Sequence, residues 1–162
     1  MKLTVVGIGP GNEENMTLRA VKALAEAQVI VGYQVYVDLV KNRYPGKEFL
    51  TTGMTREAQR CRMALEEAKK GKEVAMVCSG DSGVYGMAAL CYELRGDSME
   101  PEIEVVPGLT AACSGGAVLC ADPDTAADVL IEQADQALYT AKANGSNICK
   151  TLTDKLSIRV VL

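Results

Sequence analysis

Three glycine-containing stretches hold the residues best suited to chemistry in this chain. They are Gly7-Ile8-Gly9-Pro10-Gly11-Asn12, Ser79-Gly80-Asp81-Ser82-Gly83 and Pro107-Gly108 with the residues that follow. Gly80 and Gly83 let a ligand approach the backbone closely, and Asp81 offers a carboxylate at a strand tip. Ligands of parallel α/β sheets sit outside the carboxyl ends of strands, where helix N-termini leave unpaired N–H groups. The plainer alternative is an ordinary strand-to-helix turn whose Asp or Ser caps the helix. The 162 residues include no histidine, so Ser-His-Asp triads, Cys-His dyads and His-containing zinc sites are excluded. Six cysteines (61, 78, 91, 113, 120, 149) are irregularly spaced without a CxxC and read mostly as small core residues. No metal centre is expected, and no catalytic residue can be named.

The elements that must position these loops alternate regularly. The strands read as Leu3–Ile8, Gln28–Gly32, a short edge-like strand Glu48–Leu50, Val74–Val77 and Glu102–Val106. Between them come an amphipathic helix over Thr17–Ala27, with Leu18, Val21, Leu24 and Ala25 on one face, and a short helix over Tyr33–Val40. A third begins at Thr55, keeps Ala58, Cys61, Ala64, Leu65 and Ala68 at helical spacing, and ends at Lys69-Lys70-Gly71. A fourth carries Met87, Leu90, Cys91 and Leu94, and a small-residue helix starts at Thr110. Strands alternating with helices predict an α/β three-layer sandwich with a mainly parallel five-stranded sheet.

Composition bounds the function. A hydrophobic share of 48% with 23% charged residues predicts a folded chain, and a net charge of −4 without a basic stripe predicts no nucleic-acid partner. No apolar run reaches membrane-spanning length, and the chain opens directly on strand-like KLTVVGIG. No membrane association and no signal peptide are therefore expected, and the chain reads as cytoplasmic. The first glycine stretch has the look of a dinucleotide fingerprint, but Pro10 removes an N–H that a pyrophosphate cradle would use. No acidic residue ends the second strand either, so a nicotinamide-binding oxidoreductase is disfavoured.

Taken together, GIGPGN, SGDSGVYGMA and VVPGLTAA stand in the order and spacing of the tetrapyrrole (corrin/porphyrin) methylase family, which this chain resembles over about residues 2–119. The nearest likeness is to the branch that methylates a cobalamin precursor at carbon 17, which also shows a VGYxxYxxLV-like segment; here it is Val31–Val40, with Tyr33 and Tyr36. The resemblance implies S-adenosylmethionine-dependent methyl transfer to a corrinoid, with S-adenosylhomocysteine as product. It implies cofactor contacts at Pro10, at Ser79, Gly80 and Asp81, at Val84, and at Thr110 and Ala111, largely through backbone groups. Packing is the alternative for Val84 and Ala111, and turn geometry for Pro10 and Gly80. Tyr33 stands where some relatives carry an acid, so no acid–base role transfers to it. A polycarboxylate substrate calls for cations, and Arg19, Lys22, Arg56 and Arg60 are the candidates, each with surface solvation as the simpler role.

After Leu119 the pattern changes. The family continues into a second domain of similar size, whereas this chain reads DPDTAADVLIEQADQALYTAKANGSN. Asp124 or Thr125 is placed to cap a helix to about Ala143, with Leu130, Ala134, Ala137, Leu138 and Ala141 as its apolar face. That stretch resembles the terminal helix of a GGDEF (diguanylate cyclase) domain at Ala134, Asp135, Ala137, Leu138, Tyr139, Ala141, Lys142, Gly145 and Asn147. The GGDEF sequence itself is absent, so no cyclase activity is implied. The chain thus reads as a composite: residues 1–119 as a cofactor domain, and residues 120–162 as an added helix and strand completing it. Two functions follow: a methyltransferase homologue holding half of a cofactor cleft, or an inert scaffold or dimerisation module. The last strand, Leu156–Leu162, is a candidate for extending the sheet or pairing two copies.

Overall fold

The computed structural model describes residues 1–110 together with Ala126, Asp128, Val129, Glu132 and Gln136. The chain falls into two compact units, Met1–Leu109 and Thr110–Leu162, each taken by itself. In the first, the strands are β1 (Lys2–Gly7), β2 (Val29–Tyr33), β3 (Glu48–Thr52), β4 (Glu73–Cys78) and β5 (Glu102–Val106). The helices are α1 (Leu18–Glu26), α2 (Gln34–Val40), α3 (Glu57–Lys69) and α4 (Ala88–Arg95). The sheet runs β3-β2-β4-β1-β5, and every neighbouring pair is parallel.

That order dictates which face each helix covers. From β1 the chain steps outward to β2 and on to β3, then reverses to β4 and on to β5. Crossovers of one hand must change faces when the direction reverses. Accordingly α1 and α2 pack on one face, where Ala20, Leu24, Val37 and Val40 meet Val6, Ile30, Ala75 and Val77. Helices α3 and α4 pack on the other, where Cys61, Ala64, Ala68 and Cys91 meet Leu3, Val5, Val31 and Met76. Neighbouring strand residues alternate between the two cores, as the period of two requires, and the apolar runs without polar breaks reflect burial on both sides. The expected three-layer α/β architecture is present.

Local signals account for most of the helix boundaries. Thr17 caps α1, its Oγ1 accepting from the Ala20 N–H at 3.1 Å. Helix α3 ends on Lys69 and Lys70, and Gly71 follows at φ 89°, the left-handed conformation that suits glycine. Three expectations need correction. Leu18 and Ala25 do not join the buried face of α1; Leu18 is 89% exposed, because the stripe is set by Ala20 and Leu24, with Val21 and Ala23 beside them. Thr55 does not start α3: it sits at φ 60° with its hydroxyl on the Met54 carbonyl, and Arg56 holds the cap position. Neither Asp81 nor Ser82 caps α4, which begins at Ala88 with Met87 at its cap and no side-chain capping bond.

In the second unit, Asp128, Val129, Glu132 and Gln136 are helical and exposed, consistent with the solvent side of the helix expected there. The apolar face expected for that helix, the helix from Thr110 and the strand over Leu156–Leu162 lie outside the described residues. Of the six cysteines, Cys61, Cys78 and Cys91 are described, and all are free and buried, as small core residues should be. No helix among the described residues is long and apolar enough to cross a membrane.

At Gly32 the side chains of the helix and sheet layers leave no room for another carbon. A Cβ there would lie 2.4 Å from Val77 Cγ2 and 2.8 Å from Val37 Cγ2. Gly32→Ala is expected to lower unfolding stability by about 1–3 kcal/mol through overpacking. Gly53→Ala, with nothing within 4 Å of its Cβ, should be close to neutral; urea denaturation of both variants is the check.

Candidate functional site

The reversal of direction leaves β1 and β4 adjacent while their following helices depart to opposite faces, the place at which parallel α/β sheets take ligands at their carboxyl ends. Here the backbone of three strands converges. The Gly9 N–H donates to the Gly80 carbonyl (3.0 Å) and the Gly80 N–H to the Gly9 carbonyl (2.9 Å). Both glycines are at positive φ, 56° and 67°. A Cβ on Gly7 would fall 2.6 Å from the Gly108 nitrogen, and one on Gly108 would fall 2.1 Å from the Gly80 oxygen. Side chains at Gly7 or Gly108 would force the three strand ends apart.

Asp81 ties this junction together. Its Oδ1 accepts from the N–H groups of Gly83 (2.7 Å) and Val84 (2.9 Å), and its Oδ2 from the Gly108 N–H (2.9 Å). Desolvation works to raise its pKa, but the amides of Gly108, Val84 and Gly83 outweigh it and hold the carboxyl below its ordinary value. Ser82, fully buried, adds a second tie by donating to the Val106 carbonyl at 2.7 Å. Beyond them the loop turns outward, leaving Val84 about half exposed and Tyr85 fully exposed at φ 54°.

The residues singled out from sequence divide as follows. Pro10, Ser79, Gly80, Asp81 and Val84 all lie on the two loops that leave β1 and β4. Pro10 is half-buried in a turn closed by the Gly11 N–H on the Ile8 carbonyl at 3.0 Å. Asp81 presents its carboxylate to backbone amides, which makes it a positioning group for this loop. Thr110 opens the second unit, and Ala111 lies outside the described residues. Sequence reasoning passed over the roles of Gly7, Ser82 and Gly108. It also passed over Thr17, whose hydroxyl reaches the Pro107 carbonyl at 3.4 Å.

The β1 loop is not a phosphate cradle. The N–H groups of Ile8, Gly9 and Gly11 are spent on Cys78, Gly80 and Ile8 carbonyls, and Pro10 has none to give. Glu13 and Glu14 lie ahead of α1 in a short 3-10 turn, where a pyrophosphate would meet negative charge. The disfavouring of a dinucleotide site therefore has a further physical basis besides Pro10 and the missing acidic residue at the end of the second strand.

Known proteins resemble this chain in both sequence and fold. The family model for tetrapyrrole (corrin/porphyrin) methylases matches residues 2–153. Over 118 residues, 72% of this chain, 43% are identical to a probable cobalt-factor III C(17)-methyltransferase of Salmonella typhimurium, of which they cover 49%. A cobalt-factor III methyltransferase of Priestia megaterium is 43% identical over 73% of this chain and 23% of its own length. The chain thus spans about half the length, or less, of these relatives. Among solved structures, the methyltransferase CobJ superposes with a TM-score of 0.66 at 31% identity, covering 87% of this chain and 64% of that one. A uroporphyrin-III C-methyl transferase of Thermus thermophilus, complexed with S-adenosyl homocysteine, gives 0.57 at 26% identity, covering 72% and 52%.

Loss of the Asp81 carboxylate should loosen the junction. Asp81→Asn is expected to destabilise the protein by about 2–3 kcal/mol at neutral pH, the scale of hydrogen bonds to a charged acceptor. Since the folded pKa is depressed, this stabilisation is complete above the unfolded value, near 3.8, and is lost as pH falls through the still lower folded value. Denaturation of wild type and variant from pH 7 to pH 2 should show curves that converge only at the acid end.

Proposed function

This chain belongs to the tetrapyrrole (corrin/porphyrin) methylase family, and from that premise we propose that the junction of β1, β4 and β5 binds S-adenosylmethionine as half of a precorrin methyltransferase cleft. The observation that carries the reading is the backbone convergence of Gly7, Gly80 and Gly108 around Asp81. It sets an exposed apolar residue, Val84, beside rigid polar backbone. An adenosyl group asks for that combination, an apolar rest for the base and fixed donors and acceptors for the ribose. A Cβ on Gly80 would meet nothing nearer than the Leu109 carbonyl at 3.8 Å, so the backbone there is open to approach.

When bound, S-adenosylmethionine would supply an already electrophilic methyl on a sulfonium that leaves as a thioether. The residues here contribute alignment. Asp81 holds the loop, Gly80 and Pro10 set the floor, and Val84 excludes water on one side. No imidazole base is needed, which suits a chain without histidine. By kinship with the C(17)-methyltransferases, the acceptor proposed is a corrinoid of cobalamin biosynthesis, and the compartment the cytoplasm. The proposal keeps residues 1–119 as the cofactor domain and residues 120–162 as an added helix and strand, with a second copy of the chain as a candidate partner. Its competitor is a folded scaffold that binds neither cofactor nor corrinoid.

Calorimetric titration with S-adenosylhomocysteine separates the two readings. Saturable binding is expected, weakened about tenfold or more in Asp81→Ala as the loop that carries Val84 loses its anchor. A folded protein giving no heat up to millimolar ligand would favour the scaffold.

A further inference from the structure

Of the cations weighed for an anionic substrate, Arg60 alone is buried, at 5% exposure. Arg19 spends its charge on Glu104, Lys22 on Glu26, and exposed Arg56 bonds Gln59. Surface solvation, the simpler role for Arg60, is thereby overturned. Its Nε donates to Thr52 Oγ1 (2.9 Å) and one terminal nitrogen to the Gly53 carbonyl (3.1 Å). Among the described residues, the other terminal nitrogen, Nη1, finds only the Met87 sulfur, at 4.0 Å. The Tyr33 ring lies 5.7 Å from the guanidinium carbon. No carboxylate among the described residues pairs with it within 4.0 Å.

This placement is costly. A buried cation without a counter-charge is strongly unfavourable, and neutral acceptors or a ring face answer it only in part. Arg60 also lies in the first turn of α3, at the helix end whose dipole repels positive charge. The groups around it come from the carboxyl ends of β2 (Tyr33) and β3 (Thr52, Gly53) and from the loop before α4 (Met87), the same edge of the sheet as the Asp81 junction.

We propose that Arg60 is a carboxylate receptor: Nη1, with Met87 as a displaceable cover and Tyr33 as a flanking ring, takes a carboxylate of the bound ligand. Thr52 and Gly53 hold the guanidinium in place by its other nitrogens, so Nη1 is offered in a fixed orientation without reordering. Met87 suits the role of cover, because an unbranched thioether repacks readily and its sulfur is a weak acceptor. The inference deepens the proposed function and rests on it. Two sources carry such a group: the side chains of a polycarboxylate tetrapyrrole and the amino-acid end of the adenosyl ligand.

Three probes distinguish them: uroporphyrin III, S-adenosylhomocysteine, and 5′-methylthioadenosine, which lacks the amino-acid carboxylate. Affinities are compared in wild type, Arg60→Gln and Arg60→Lys, the last retaining charge without the guanidinium that Thr52 and Gly53 hold in place. A tetrapyrrole source predicts that Arg60→Gln loses about 10- to 100-fold for uroporphyrin III alone. An adenosyl source predicts that loss for S-adenosylhomocysteine with methylthioadenosine unchanged. Arg60→Lys should fall between wild type and Arg60→Gln, and it carries the test should Arg60→Gln not fold. Equal losses for both adenosyl ligands, or no loss for any probe in a folded variant, would overturn the receptor role, as would wild type binding none of the three. Wild type that binds uroporphyrin III in an Arg60-dependent way but neither adenosyl ligand would sink the cofactor reading and leave the receptor standing.

Discussion

The structure turns on how closely three strand ends approach one another. At Gly7 and Gly108 there is no space for a side-chain carbon, because the Gly80 carbonyl lies against both positions, so the backbones of β1, β4 and β5 meet directly where the chain leaves the sheet. The Asp81 carboxylate and the Ser82 hydroxyl provide the bonds that order this contact, the first accepting from the Gly108 N–H and the second donating to the Val106 carbonyl. The carboxylate accepts two amides of its own loop and one from the loop beyond β5. One short side chain therefore sets both the shape of the β4 loop and its distance from the neighbouring strand end.

The sheet order makes this possible. Because β4 inserts between β2 and β1, and β5 adds outside β1, the strand that opens the chain becomes an inner strand with later strands on both sides. Its paired neighbours start in register, Lys2 opposite both Glu73 and Glu102, so the three carboxyl ends finish level. A slip of one residue would move Gly7 away from Gly80 and exchange the two cores, because side chains alternate between faces.

Much of this was legible in the sequence, for identifiable reasons. Uninterrupted runs such as Val74–Val77 mark strands covered on both faces, and Lys69-Lys70-Gly71 marks a helix end. The SGDSG stretch announced a special loop. Its internal wiring was not legible: an Asp after glycine is equally suited to cap a helix, to bind a ligand or to bridge two loops, and only the proximity of Gly108 decides among these. Leu18 misled because helical periodicity cannot tell the edge of an apolar stripe from its centre. Arg60 was visible in principle, since it shares the i, i+4 row of Ala64 and Ala68, both fully buried. An arginine heading an alanine row is a signal of burial that composition and charge counts conceal.

The wiring of Asp81 also constrains the chemistry this edge can host. A carboxylate held below its ordinary pKa by three amides is a weak base, and taking up a proton there would break the bonds that shape the loop. With no histidine in the chain, proton abstraction at this junction has little to draw on. Transfer of a group that is already activated asks for something else: fixed distances, a dry wall and charge complementarity at the periphery. On the proposed reading, the glycine backbone, the exposed Val84 and a buried Arg60 without a carboxylate partner among the described residues supply these three. The site's poverty in acid–base groups and its wealth of fixed backbone are thus two aspects of one design, suited to a reaction whose driving force arrives with the donor.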